Sequence, residues 1–182
     1  MFKHIFNCQK CELYKNQRPL LDTKRECKII WVGMSAKKTK SQEELPLSSE
    51  TQSGMLIKKI EEECSEISTY KTNLVKCLPL TPDQKLRYPN KHEIDCCIGH
   101  LISEIELLSP KIVFLLGEKV YSSVEKYLNI SFDKWNGFDY KYKEYNHVYF
   151  IPVQHPSYIY VYKRKYIEEY VQGITKIISE LL

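Results

Sequence analysis

The chain has 182 residues, of which 43% are hydrophobic and 27% are charged, and these proportions fit one globular domain over residues 1–182. Its formal net charge of +4 permits nucleic-acid binding without requiring it. The chain lacks an apolar run long enough to span a membrane and the apolar segment of a signal peptide, and its seven cysteines without a secretion signal argue against a disulfide framework. We therefore expect a monomeric cytoplasmic protein with no membrane partner.

Strand and helix patterns are predicted to alternate along the chain. Apolar runs indicate strands at 28–32, 71–76, 111–117 and 148–153, and helical spacing indicates helices at 53–64, 94–108, 118–128 and 167–181. Nearly continuous apolar strands are typical of a parallel sheet covered on both faces. The pattern therefore predicts an α/β fold, a three-layer α/β/α sandwich with a central four-stranded parallel sheet.

Polar and glycine residues follow each predicted strand. Ligands bind such sheets outside the carboxyl ends of their strands. This edge is expected to carry Gly33-Met34-Ser35, Asn73 with Cys77, Gly117, and Gln154-His155-Pro156-Ser157.

Four cysteines form a second pattern. Cys8 and Cys11 are spaced C-x2-C, Cys77 follows the second strand, and Cys97 lies in a helical segment. Four thiolates from distant segments suit a tetrahedral metal or an iron–sulfur site. The alternative is a set of buried thiols without a ligand, because free cysteine packs as a small hydrophobe.

With these segments placed, the chain resembles the uracil-DNA glycosylase superfamily, in particular its iron–sulfur branch, family 4. The matching motifs follow one another in order over nearly the whole chain. They are the N-terminal C-x2-C, the first strand with its glycine loop (29–36), Ser53-Gly54, Thr72-Asn73-Leu74-Val75-Lys76-Cys77, the Glu-x-x-x-Cys helix start (93–97), the strand 110–117, and His155-Pro156-Ser157-Tyr158.

The resemblance implies a [4Fe-4S] cluster held by Cys8, Cys11, Cys77 and Cys97. Cys96 is adjacent to the fourth ligand, but Cys97 is favoured because it falls four residues after Glu93. In this family the cluster orders the fold and the nearby DNA-contacting loops, and it does not cleave the bond. Cys27 and Cys64, which lie in a strand approach and on a helix face, are expected to be structural.

The resemblance also implies a monofunctional DNA glycosylase that extrudes its target base from the DNA. His155 resembles the family's hydrogen-bond donor to the pyrimidine O2, where negative charge develops as the glycosidic bond breaks. Asn73 is expected to bind the O4 and N3 edge of the base. Both residues are therefore predicted to be catalytic.

DNA, single- or double-stranded, is the expected partner. The predicted base pocket contains Gly33, Met34, Ser35, Leu47, Ser49, Asn73, Pro156 and Ser157, and the backbone amides of Ser35 and Ser157 are expected to hold flanking phosphates. Ile159 or Tyr160 is the candidate to fill the vacated base stack. Basic residues beside the site loops, which are Lys37, Lys38, Lys40, Lys163, Arg164 and Lys165, are expected to contact phosphates.

Two departures from the family pattern leave the substrate open. Met34 stands where the family has a water-activating Glu, and Glu43, Glu44 and Glu50 in the following loop are the candidates to replace it. The segment 45–51 lacks the aromatic residue that stacks on the base. The first hypothesis is excision of uracil or a related pyrimidine. The alternatives are excision of a bulkier modified pyrimidine in phage defence, a non-catalytic nucleic-acid binder, and a structural domain stapled by zinc.

Overall fold

The computed structural model describes residues 2–23, 26–39, 44–64 and 67–182. Its strands are β1 (Ile29–Ser35), β2 (Thr69–Val75), β3 (Ile112–Leu116), β4 (Lys143–Tyr145) and β5 (Val148–Val153). Its helices are α1 (Lys3–Phe6), α2 (Gln52–Glu63), α3 (Lys91–Leu108), α4 (Glu118–Leu128), α5 (Pro156–Tyr162) and α6 (Ile167–Leu181). None of the helices in these ranges combines the length and the apolarity that a membrane crossing requires.

The strands form one mixed sheet with the order β2-β1-β3-β5-β4. The four predicted strands are parallel neighbours, and β4 adds an antiparallel edge next to β5. The predicted α/β fold is confirmed, with one strand more than expected. The sequence pattern missed β4 because it has three residues and is largely exposed, and its hairpin turn holds Asn146 and His147 at φ of 50° and 63°.

Helices cover both faces of the sheet, so the fold has three layers. Alternate residues of each strand point to opposite faces. In β1, Ile30 and Val32 pack toward the core under α3 and α4, whereas Ile29 and Trp31 pack toward the core under α2, α5 and α6. The helices thereby fix the strand ends from both sides, and the site residues project from those ends.

Helix α5 was predicted as a loop. Pro156 occupies its first turn, where proline loses no intrahelical hydrogen bond, and His155 is its N-cap residue. Proline after histidine therefore begins a helix here instead of marking a turn. Residue 155 is held at the junction between β5 and α5.

Candidate active site

A cleft opens at the carboxyl edge of the parallel strands. It brings together six predicted residues, Met34, Ser35, Lys37, Leu47, Asn73 and His155. The cleft has further lining residues that the predicted base pocket did not contain, which are Leu20, Thr51, Ser53, Leu86, Arg87 and Tyr88. Most of these lie on connecting segments, where neither strand nor helix periodicity indicates which side chains converge.

Gly33 and Asn73 form a register pair between β1 and β2. A Cβ on Gly33 would lie 2.5 Å from Asn73 Oδ1 and 3.1 Å from a Leu47 methyl carbon. Such contacts are too close, so the Asn73 side chain can cross β1 only because residue 33 is glycine. Gly33 therefore contributes to the predicted pocket by leaving room for the Asn73 side chain beneath the cleft.

The Asn73 side chain is nearly buried, with 3% of the residue exposed, yet it lines the cleft. Within the ranges that the structure describes, its side-chain amide makes no hydrogen bond to another residue. Buried amides in proteins normally have partners. An amide that can both donate and accept is thus available for a ligand with alternating polar groups along one edge.

His155 enters the same cleft with one ring nitrogen already engaged. Its Nδ1 accepts a hydrogen bond from the Ser157 backbone N–H at 3.3 Å and lies 2.7 Å from Ser157 Oγ. Since a backbone N–H can only donate, this network assigns the proton of the neutral ring to Nε2. Burial lowers the pKa of His155, so the ring is neutral near pH 7 and presents Nε2–H as a donor.

Gly117 permits the close approach of His155 to the end of β3. Its φ of 93° lies in a region that favours glycine, and an added Cβ would lie 3.3 Å from His155 Cβ. The predicted strand-end glycine therefore supports the position of the imidazole. Pro156, directly after His155, is buried at the start of α5.

Two of the candidate carboxylates, Glu44 and Glu50, do not line the cleft. Glu44 forms an ion pair with Lys37, and it lines an adjacent groove together with Ser49 and Glu50. Glu43 lies outside the described residues. Among the cleft-lining residues that the structure describes, none is an Asp or a Glu. A second groove on the other side of His155 contains Glu118, which pairs with Lys134 Nζ at 3.1 Å.

A buried ion pair lies directly beneath Asn73. Lys76 Nζ donates to Thr72 Oγ1 at 2.7 Å and to the Asn73 carbonyl at 2.6 Å, and it pairs with Glu104. Tyr70 Oη donates to Glu104 Oε1 at 2.8 Å. Lys76 and Glu104 are 1% and 0% exposed, so each charge depends on the other. The network holds β2 to α3.

The four predicted cysteine ligands line one cavity between the N-terminal segment, the end of β2 and α3. Cys97 is buried and accepts from the Lys76 backbone N–H at 3.3 Å, and Cys8 accepts from the Lys10 backbone N–H at 3.5 Å. Cys96 also lines the cavity, but its thiol contacts the Lys10 carbonyl at 3.4 Å and lies near His92.

Thiols and amide donors to sulfur fit a soft metal centre, and no carboxylate lines the cavity in the described part of the chain. Burial, followed by the neighbouring thiols, raises the pKa of Cys77 to about 12. Burial likewise raises the pKa of Cys97 to about 11. These thiols carry protons near pH 7, and binding of a metal centre would have to displace those protons. Over the described ranges, no group of three or more His, Cys, Asp or Glu is arranged to hold a metal ion.

The remaining two cysteines lie apart from that cavity. Cys27 is buried in the core under α3 and α4, and Cys64 packs at the margin of the core on the other side of the sheet. Both positions agree with a structural role for these two residues.

One predicted DNA contact is corrected by burial. Ile159 is 1% exposed and packs in the core under α2 and α6, so it cannot enter a base stack without leaving that core. Helix α5 instead exposes Tyr158 and Tyr162, whose rings lie 5.4 Å apart. Tyr160 is half-buried, with the Arg164 guanidinium 5.4 Å from its ring centroid.

The predicted phosphate contacts are spread over two segments. Lys38, Lys163, Arg164 and Lys165 are exposed, whereas Lys37 is half-buried beside Glu44. Lys40 lies outside the described residues.

Ser49 is exposed in the adjacent groove and does not line the cleft, so its predicted place in the pocket is corrected. The Ser157 amide is already engaged with His155, which leaves Ser35 as the better placed amide of the predicted pair.

Comparison with known proteins identifies a matching family and two relatives. A family model described as the uracil DNA glycosylase superfamily matches residues 21–178. The type-4 uracil-DNA glycosylase of Pyrobaculum aerophilum is 29% identical over 118 residues, which are 62% of this chain and 57% of that protein. The chain thus spans less than two thirds of that relative. The type-4 uracil-DNA glycosylase of Sulfurisphaera tokodaii is 26% identical over 165 residues, 85% of this chain and 72% of that protein.

A solved structure shares the fold. The crystal structure of wild-type Pedobacter heparinus SMUG2 aligns with a TM-score of 0.55 at 12% identity, covering 86% of this chain and 76% of that one. The resemblance inferred from motif order is confirmed by the two type-4 relatives. Since the family match spans most of its length, the chain belongs to the uracil DNA glycosylase superfamily.

Proposed function

We propose that the protein is a monofunctional DNA glycosylase that hydrolyses the N-glycosidic bond of uracil or a related pyrimidine and leaves an abasic site. One observation carries the proposal: an amide and an imidazole N–H that have no hydrogen-bond partner among the described residues share one cleft at the sheet edge. They belong to Asn73 and His155. Membership of the superfamily and the names of the two type-4 relatives support the same conclusion.

The imidazole of His155 would act on the leaving base. As the C1′–N1 bond stretches, the sugar gains positive charge and the pyrimidine gains negative charge near O2. A fixed donor aimed at that oxygen stabilises the transition state more than the ground state. A neutral ring with its proton on Nε2 can supply this donor, and Ser157 holds the tautomer that does so.

Asn73 would bind the edge of the extruded base. Its amide can accept from N3–H and donate to O4, a pattern that cytosine does not present. Met34 cannot orient a water molecule, and no carboxylate lines the described part of the cleft. The attacking water is therefore expected to rely on the charge of the departing base and on polar groups such as Ser35.

The lining of the cleft also favours a second candidate substrate. Met34 and Leu47 line its walls, and segment 45–51 supplies no aromatic ring. These features would accept a pyrimidine with a larger 5-substituent, as in defence against phage with modified DNA. The absence of a cleft carboxylate in the described residues keeps a non-catalytic DNA-binding relative as a third candidate.

We infer that Cys8, Cys11, Cys77 and Cys97 hold a [4Fe-4S] cluster. These four thiols line one cavity, which Cys96 also lines, and two of the four accept backbone N–H bonds, which supports this assignment. The cluster would link the N-terminal segment to β2 and α3 and contribute no bond cleavage. The contact of Cys97 with the Lys76 amide supports Cys97 over Cys96 as the fourth ligand.

A panel of DNA substrates tests the catalytic proposal. Single strands and duplexes with uracil, thymine, cytosine or a 5-substituted pyrimidine at one position would be scored for abasic sites. Wild type should release uracil or a larger pyrimidine, and His155→Ala should be at least ~100-fold slower. His147→Ala is the matched control because its side chain is 97% exposed on the β4–β5 turn. Equal rates for wild type and His155→Ala would refute the mechanism, and no release by wild type would favour the DNA-binding relative.

Anaerobic purification tests the cluster. Wild type should be brown, with about four iron atoms and acid-labile sulfide per chain. Cys77→Ser should be colourless and poorly soluble, because ligands from distant segments stabilise the fold together. Cys64→Ser should keep its colour, since Cys64 lies outside the cavity. Stoichiometric zinc without sulfide in well-folded protein would contradict the assignment.

A further inference from the structure

The cleft contains an aromatic residue that the sequence motifs did not indicate. Tyr88 lies on the proline-rich segment after β2, lines the cleft with Asn73 and His155, and is 67% exposed. Apart from the imidazole of His155, it carries the single aromatic ring among the described cleft residues. An aromatic side chain this exposed, inside a cleft lined by two available polar groups, lacks the burial that would explain it as part of the core.

The backbone that carries Tyr88 is held in place by Arg87. The Arg87 guanidinium binds both carboxylate oxygens of Glu93, at 2.8 Å and 2.6 Å. It also donates to the carbonyls of Leu80, at 2.9 Å, and Tyr88, at 3.0 Å. Glu93 belongs to the capping box of α3 with Asn90. A bidentate, charge-assisted pair of this kind fixes geometry as well as adding energy, so the segment is anchored to a helix end.

The ring itself has a partner on one face only among the described contacts. Lys119, in the first turn of α4, places Nζ 3.9 Å from the centroid of the Tyr88 ring. A cation over a ring face holds the ring in one orientation. The ring is therefore partly ordered before any ligand arrives, which lowers the entropy lost on binding. Its other face remains available to a flat partner.

We propose that Tyr88 is a specificity-determining residue that stacks on the extruded pyrimidine, on the surface that segment 45–51 does not provide. This inference rests on the proposed function, because it assumes that a base enters the cleft. Asn73 would bind the edge of the base and His155 its O2, while Tyr88 would cover one of its faces. Three contacts from three separate segments would then define the plane of the base, which the two polar groups alone leave free to tilt.

The contribution of such a ring can be estimated from other nucleic-acid complexes. Stacking of one base on an aromatic side chain contributes enough that removing the ring weakens binding by roughly 10- to 100-fold. Because the ring touches the base before and during bond cleavage, its loss should raise KM more than it lowers kcat. The hydroxyl is not needed for stacking, so Tyr88→Phe should behave like wild type.

Binding to two matched DNA duplexes tests the proposal without requiring turnover. One duplex carries 2′-fluoro-2′-deoxyuridine, whose glycosidic bond resists hydrolysis, and the other carries a stable abasic analogue at the same position. Tyr88→Ala should bind the first duplex roughly 10- to 100-fold more weakly than wild type. It should bind the abasic duplex with unchanged affinity, because that duplex has no base to stack. Lys119→Ala should give a smaller loss, about two- to five-fold, on the first duplex.

Tyr127→Ala serves as the matched control, because Tyr127 is 51% exposed and lines a groove that contains neither Asn73 nor His155. It should match wild type on both duplexes. Equal weakening on both duplexes by Tyr88→Ala would assign the ring to the DNA strand and overturn the proposal. Unchanged affinity on both, in an enzyme whose wild type releases a base, would also overturn it. Absence of base release by wild type on every substrate would instead refute the proposed function.

Discussion

Lys76 and Asn73 lie three residues apart at the end of β2, and both are buried, but their polar groups differ in their hydrogen-bond partners. The Lys76 ammonium has three partners, Thr72, Glu104 and the Asn73 carbonyl. The Asn73 amide, by contrast, has none among the described residues and opens into the cleft. One strand end therefore holds a fully bonded network on one side and an unused hydrogen-bonding group on the other.

The difference separates two reasons for burying a polar group. A buried charge with all its hydrogen bonds made fixes the position of neighbouring elements, at a desolvation cost that its partner offsets. An unpaired amide costs stability and gains nothing from the protein alone, so its retention indicates a ligand. The two residues should respond to substitution in opposite ways.

The largest expected effect is on stability, from breaking the Lys76 network. Glu104→Ala leaves the Lys76 ammonium without its counter-charge in a site that is 1% exposed. We expect the free energy of unfolding to fall by roughly 3–5 kcal/mol, measured by urea denaturation followed by circular dichroism. The double variant Lys76→Met with Glu104→Leu should recover only part of that loss, because it removes the unpaired charge but leaves the buried hydroxyls of Tyr70 and Thr72 without these partners.

Glu106→Ala is the control for this experiment, since Glu106 is exposed on the same helix and its replacement should change stability by less than about 0.5 kcal/mol. If Glu104→Ala were as stable as Glu106→Ala, the buried network would not hold β2 to α3.

The next effect is on activity, from removing the unpaired amide. Asn73→Ala should lower the rate of base release at least ~10-fold, since a hydrogen bond to a charged group contributes roughly 1.5–3 kcal/mol. It should also relax the choice between uracil and cytosine, because the base edge loses its partner. Stability should change little, as no protein hydrogen bond is broken in the described structure. Abasic-site assays and urea denaturation on the same preparation measure both quantities.

Thr72→Val gives the matched comparison, because the neighbouring side chain belongs to the Lys76 network and not to the cleft. It should lower stability while leaving the preference between bases unchanged. The opposite result, with Asn73→Ala unstable and Thr72→Val altered in base preference, would reverse the roles assigned to the two residues.

The sequence allowed the positions of Asn73 and His155 to be predicted because Asn73 lies near the end of β2 and His155 follows β5, and parallel strands bring their carboxyl ends to one edge. The predicted bounds of α4 (118–128) and β5 (148–153) are confirmed, because helical spacing marks the first segment and a nearly continuous apolar run marks the second. Helix α5 and the burial of Ile159 were missed, because a helix of seven residues that begins with proline has little periodic signal.

The part played by Tyr88 and Arg87 could not be predicted from periodicity either. Both lie on an irregular segment whose course depends on Arg87 reaching Glu93, an interaction between side chains. The Lys76–Glu104 pair likewise joins a strand to a helix 28 residues away. Such contacts depend on the assembled fold, whereas strand ends depend on local pattern.

The smallest expected effect concerns the pH dependence that His155 adds to stability. Burial lowers the pKa of His155 from its ordinary value of 6.5, so the unfolded chain binds a proton at this site more readily than the folded protein does. Stability from this residue is therefore complete above pH 6.5 and is lost as the pH falls below it. Replacing the imidazole by an amide in His155→Gln removes the titrating group, so the variant should lose less stability than wild type between pH values of about 7.5 and 5.5. Urea denaturation at a series of pH values measures the difference, in which the contributions of the other histidines cancel.

His147→Gln, at the 97% exposed position of the β4–β5 turn, should follow the wild-type curve. If His155→Gln followed it too, the imidazole would titrate alike in the folded and unfolded chains, and the neutral Nε2–H donor would lose its physical basis.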